Sequence, residues 1–99
     1  MKKQFFVVAE LIAQEGKFEE LKQIFEELAE ETRKEKGAVE YLFIEDQSKP
    51  NTLLSIEKWE NTDEEAKHWE TPHLQKALTN ADRIMVNNRA IIHKGFKII

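Results

Sequence analysis

Gln4-Phe5-Phe6-Val7-Val8-Ala9-Glu10-Leu11-Ile12-Ala13 is the stretch on which the architecture turns. It is too short for a typical helix and rich in β-branched and aromatic residues, so it reads as a first strand. Successive side chains of a strand point to opposite faces. Phe5, Val7, Ala9 and Leu11 therefore point one way, and Phe6, Val8 and Ile12 the other. An antiparallel sheet with one wet face would alternate apolar with polar residues. This strand is oily on both sides, and both sides must be covered.

From Lys17 to Glu35, Phe18, Leu21, Phe25, Leu28 and Thr32 recur at steps of three and four, with Glu and Lys between them. That spacing predicts an amphipathic helix, ended by Gly37. Ala38–Glu45 and Thr52–Trp59 read as two strands hairpinned across the polar turn 46–51. Leu42 and Ile44 oppose Tyr41 and Phe43, and Leu54 and Ile56 oppose Leu53 and Trp59, so both strands repeat the two-faced pattern. Thr62-Asp63-Glu64-Glu65 fits a capping box with Thr62 as cap and predicts a short helix from about Asp63. Thr71-Pro72 signals a break and a second helical start, running to about Thr79. Asn87–Ile99 reads as the last strand, with Asn87-Asn88-Arg89 as its turn-like opening.

The resulting order, β-α-β-β-α-β, folds with right-handed crossovers into a four-stranded antiparallel sheet with the helices on one face, the ferredoxin-like arrangement of the α+β class. The 99 residues make a single domain. Two helices cover only one side of its sheet. Burying part of the other side against a second copy is worth on the order of 10 kcal/mol before association costs, so a homodimer packed sheet to sheet is expected.

Composition excludes several classes. Lys plus Arg total 15 against 19 Asp plus Glu, a net charge of −4 that speaks against a nucleic-acid partner. The absence of cysteine removes disulfide scaffolds, thiolate nucleophiles and the commoner zinc sites. The apolar run after Met1-Lys2-Lys3 stops at Glu10 without a small-residue cleavage site, and nothing approaches a membrane span, so a soluble cytoplasmic protein without membrane contact is expected.

Few residues carry chemistry. His68 and His73 stand five apart around the Thr71-Pro72 break, poor spacing for two ligands on one helix, and no metal is expected. A histidine in a cleft is instead a natural proton acceptor, which makes both candidates for a site. Trp69 and Trp59 read as core aromatics or as walls of a pocket for a planar ligand, and Tyr41 as a buried phenol in need of a partner. Glu57 and Lys58 read as a solvated pair at a sheet edge, and the glutamates of the first helix as a solvated face. There is no phosphate loop, nucleophile elbow or paired-carboxylate spacing.

Read together, Val7-Val8-Ala9-Glu10, Gly16-Lys17-Phe18-Glu19-Glu20-Leu21, Lys36-Gly37-Ala38-Val39-Glu40-Tyr41, Glu57-Lys58-Trp59-Glu60 and His68-Trp69-Glu70-Thr71-Pro72-His73-Leu74 resemble the antibiotic biosynthesis monooxygenase domain family over nearly the whole chain. The His-x-x-Thr-Pro-His segment and the Glu-x-Trp ending the third strand are the most specific pieces. The resemblance implies a dimeric α/β barrel and a cofactor-independent oxygenase that turns molecular oxygen on a small electron-rich aromatic, a quinol or anthrone. It places His68 and His73 on the family's histidine positions as catalytic candidates, with Tyr41, Trp59 and Trp69 as substrate-binding walls. Heme-degrading relatives use an Asn and an axial His where this chain has Ala9 and Thr79, which disfavours heme. The alternatives within the superfamily are a small-metabolite isomerase, for which Arg83, Arg89 and Lys94 are the available phosphate contacts, and a non-catalytic ligand-binding dimer.

Overall fold

The strand-forming runs and the helical stripe form where their patterns place them. The computed structural model describes residues 4–88 and 90–99. β1 (Phe5–Ile12) leads to α1 (Phe18–Thr32), then β2 (Ala38–Glu45), β3 (Thr52–Trp59), α2 (Thr62–His68), α3 (Pro72–Ala81), two short 3-10 turns at Asp82–Ile84 and Val86–Asn88, and β4 (Ile91–Phe96). The sheet order is β2-β3-β1-β4 with every neighbouring pair antiparallel, the ferredoxin-like topology.

Leu21, Phe25 and Leu28 of α1 and Leu74, Ala77 and Ala81 of α3 pack on Phe5, Val7, Ala9 and Leu11 in one core. Phe25 meets Phe43 across this layer with ring centroids 5.4 Å apart. The opposite face of the sheet carries Phe6, Val8, Leu42, Leu54 and Ile56, half-buried, with Ile44 and Ile91 about half exposed. No described helix covers it.

Several boundaries differ from the sequence reading. α1 ends at Thr32, not Glu35: the Thr32 hydroxyl donates to the Leu28 carbonyl, and the amides of Lys34 and Glu35 reach back only three residues. This tightening takes Glu35 off the helix. Gly37 is not its immediate cap; it lies in the next turn at φ 110°, where a Cβ would overlap Glu64 Cβ and stand 2.5 Å from Glu64 Cγ. Asn61, not Thr62, caps α2, accepting the Glu64 amide at 2.9 Å. The capping-box partner Glu65 instead turns inward and is buried. The cap at Thr71 and Pro72 at the first helical turn of α3 stand as read. β4 is shorter than Asn87–Ile99 because residues 86–88 coil into a 3-10 turn, with Asn87 at φ 60°, and its pairing with β1 runs only from Ile91 to Phe96. Among the described residues, no helix is long and apolar enough to cross a membrane.

Candidate active site

The break at Thr71 builds the site. His68 is the last residue of α2 and His73 the second of α3. Between them the Thr71 hydroxyl donates to the His68 carbonyl at 2.8 Å and accepts the Leu74 amide at 3.3 Å, fixing the angle at which α3 starts. Spacing on one helix is therefore the wrong measure. The two imidazoles lie on two helices and converge on one oxygen, Glu35 Oε2, at 2.8 Å from His68 Nδ1 and 2.5 Å from His73 Nε2. Glu35 had no distinguishing signal, standing in the charged run Arg33-Lys34-Glu35-Lys36.

His68 is buried, its ring centroid 4.9 Å from that of Trp59 and 5.3 Å from that of Tyr41. With Nδ1–H donated to Glu35, Nε2 of the neutral ring accepts from the Tyr41 hydroxyl, a long contact at 3.4 Å. Burial, with Glu57 nearby, pushes the Tyr41 phenol well above its ordinary value, so the hydroxyl stays a donor.

Beneath these rings, between sheet and helices, lies a cavity of about 40 Å³. Val7, Ala9, Tyr41 and Glu57 form its floor, and Phe25, His68, Trp69 and Leu78 its roof. Glu57 corrects the sequence reading. β3 is an inner strand, not an edge, and Glu57 faces the core while Lys58 faces the other side, 3.8 Å from Glu40. The Glu57 carboxyl accepts from Ser55 Oγ at 2.8 Å and from Trp59 Nε1 at 3.0 Å. Desolvation raises its pKa against the pull of those two donors. The period-two pattern did place Glu57 on the Trp59 face, and that was the signal to follow.

The sequence candidates separate. His68, Tyr41 and Trp69 line the cavity; Trp59 is fully buried outside its wall and braces His68, and His73 faces an outer groove. Trp69 Nε1 donates to Glu65 at 2.7 Å, and Glu65 also pairs with Lys94 at 2.8 Å. Lys94 is thereby engaged away from any phosphate, and Arg89 lies outside the described residues. Glu35, His68 and His73 offer three ligand atoms within 4.8 Å of one another and could hold a cation.

The sequence profile of the antibiotic biosynthesis monooxygenase family matches residues 4–80. Among curated proteins, none matches. Solved structures share the fold at low identity. A conserved protein from Methanosarcina mazei superposes with TM-score 0.90 at 22% identity, covering 98% of this chain and 95% of that one. A candidate antibiotic biosynthesis monooxygenase from Caulobacter crescentus gives 0.91 at 20% identity, covering 99% and 92%. A similarly described protein from Nitrosomonas europaea gives 0.86 at 17%, covering 96% and 92%.

Proposed function

Because the chain belongs to the antibiotic biosynthesis monooxygenase family, we propose that it is a cofactor-independent monooxygenase acting on a small quinol- or anthrone-type aromatic with molecular oxygen. The observation that carries this reading is the cavity: aromatic walls, no Lys or Arg among its described lining residues, and hydrogen-bonding side chains limited among those residues to Ser55, Tyr41, Glu57, His68 and Trp69, whose indole N–H is already given to Glu65. Such a site suits an apolar ring bearing one or two hydroxyls and offers nothing to a phosphate.

The substrate hydroxyl displaces the long Tyr41 contact and gives its proton to His68 Nε2, while Glu35 orients the ring through Nδ1. The resulting anion passes one electron to oxygen. The radical pair recombines as a peroxide at a hydrogen-bearing ring carbon conjugated with that oxygen, His68 returns the proton to give the hydroperoxide, and loss of water from it leaves a carbonyl. One oxygen atom enters product, the other leaves as water, and the two electrons come from the substrate. The phenol of Tyr41, and the Glu57 carboxyl whose burial favours its protonated form, are the donors available to the developing oxygen charge. A cavity that holds benzene measures about 150 Å³, so admitting a ring requires the half-buried Trp69 and Leu78 to swing outward.

A second copy on the helix-free sheet face completes the reading, since that face is apolar and uncovered in the single chain. Oxygen uptake with a panel of hydroquinones and anthrones tests the chemistry. Consumption above autoxidation, reduced about 100-fold or more by His68→Ala and less by His73→Ala, is expected. No enhancement on any of them refutes the oxygenase, and binding without consumption leaves the ligand-binding dimer.

A further inference from the structure

We propose that Glu35, His68 and His73 form a three-ligand site for a divalent transition metal, best matched to zinc, that staples the turn after α1 to the α2–α3 break. The donors are of the kinds zinc takes, two imidazole nitrogens and a carboxylate oxygen. They come from three separate segments and converge within 4.8 Å. Both nitrogens approach the same oxygen, Glu35 Oε2, while among the described residues no side chain bonds Oε1. A carboxylate that served only as a hydrogen-bond acceptor would have two oxygens to share between two donors; here all three groups aim at one point.

The surroundings fit an ion. No lysine or arginine among the described residues pairs with Glu35. The His68 ring is held between Trp59 and Tyr41, with the Tyr41 hydroxyl at its other nitrogen, the outer-shell partner that orients a ligating histidine. His73 and Glu35 are the more exposed members, with side chains 23% and 15% accessible. His73 opens onto a groove of about 370 Å³ between α1 and α3 that also carries Glu27, Glu30 and Glu31 against Lys76, an acidic approach for a cation. With ligand bonds of about 2.0–2.1 Å, tetrahedral donors stand about 3.3 Å apart. The 2.5 and 2.8 Å contacts must therefore open by less than 1 Å, within reach of these two accessible side chains.

The ion would sit behind the His68 ring, since neither Glu35 nor His73 lines the cavity. The inference thus stands apart from the oxygenase reading. Its link to that reading is that an ion on Nδ1 takes Glu35 from His68, so zinc would slow the oxygenase.

Titration of tag-free, chelator-stripped protein with zinc chloride by calorimetry is the test, with cobalt chloride as the spectroscopic probe. One ion per chain at micromolar Kd or tighter is expected, together with a rise in Tm and a visible cobalt band. His73→Ala and Glu35→Gln should each weaken binding by about 10-fold or more. His93→Ala, on the far sheet face, should leave it unchanged. His73→Gln, which keeps a polar side chain of similar bulk, guards against misfolding of the alanine variant, and circular dichroism checks each fold. Failure to saturate below millimolar zinc, or full-strength binding in folded His73→Ala and His73→Gln, overturns the site. Loss of oxygenase activity alone would not touch it.

Discussion

Gly37→Ala puts the turn that carries Glu35 to the test. At φ 110° the residue lies in backbone space that L side chains rarely adopt, a strain of about 1–3 kcal/mol. The added Cβ would also overlap Glu64 Cβ and stand 2.5 Å from Glu64 Cγ. Carbon atoms pack at about 3.5–4.0 Å, so something must move by about 1 Å. Glu64 Cβ cannot rotate away, because it is fixed to the first turn of α2, whose amide is held by the Asn61 cap at 2.9 Å. Shifting that turn costs about 1–3 kcal/mol more. The sum, about 2–6 kcal/mol, is a large part of the roughly 5–15 kcal/mol that holds a domain together. At about 4–8 °C per kcal/mol, Tm should fall by at least ~8 °C. Gly16→Ala is the internal control: its φ is also positive, at 80°, but nothing lies within 4 Å of its Cβ, so only backbone strain applies. Urea melts of both variants separate the two contributions. If Gly37→Ala costs no more than Gly16→Ala, the close approach of this turn to α2, and with it the placement of Glu35, is wrong.

Two further predictions follow from the cavity and the sheet. Because desolvation raises the folded-state pKa of Glu57 above its unfolded value, its contribution to stability is full at low pH and is lost as pH rises through the folded pKa. Glu57→Gln should therefore match the parent in acid, gain on it as pH rises through the folded pKa and keep a constant margin above it in pH-dependent urea melts, while oxygenase turnover falls; an advantage that shrinks with rising pH would contradict the burial argument. Ile56→Glu, on the helix-free face, should leave the monomer folded but shift sedimentation from dimer to monomer at micromolar concentration; a parent chain that already sediments as a monomer removes the interface.

The fold was legible because its signals are local. Alternation in β1, β2 and β3, the three-and-four spacing of α1 and the Thr71-Pro72 start each depend on a few adjacent residues, and the order of elements then leaves few topologies. The misreadings came where tertiary contacts decide. Thr62 and Asn61 are both competent caps, and Glu65 could not serve the Thr62 box because Trp69 Nε1 and Lys94 Nζ claim its carboxylate from the core side. The site was half legible. His68 and Tyr41 carry residue types that announce chemistry, whereas Glu35 is one charge among neighbours, and only the early end of α1 and the break between α2 and α3 bring it to both histidines. Glu57 was misjudged through the assumption that β3 lies at an edge.

That misjudged carboxyl bears on how the sheet finds its register. A slip of one residue exchanges the two faces of a strand, and β1 offers little resistance, since Val7 and Ala9 inside and Phe6 and Val8 outside are all apolar. β3 does resist. Ser55 and Glu57 must face inward, where Ser55 Oγ and Trp59 Nε1 satisfy the carboxyl, while Lys58 must face outward beside Glu40. A slipped β3 would bury Lys58 without that partner and strip Glu57 of its donors, at a cost of several kcal/mol. Glu57→Leu separates stability from uniqueness. This variant should lose the desolvation penalty but leave the buried Trp59 Nε1 and Ser55 Oγ without their acceptor, at about 1–3 kcal/mol each, and so melt below the parent at neutral pH. Its β3 would then carry a leucine beside Leu54 and Ile56, and Lys58 alone would oppose the slip. Its amide NMR spectrum should show a second, slowly exchanging set of peaks for β1 and β3, which Glu57→Gln should lack because its amide oxygen still accepts from Trp59 Nε1 while its amide nitrogen donates to the Ser55 hydroxyl. One sharp set of β-strand peaks in Glu57→Leu would assign the register to the turn at 46–51 and the bulge at Val39 instead.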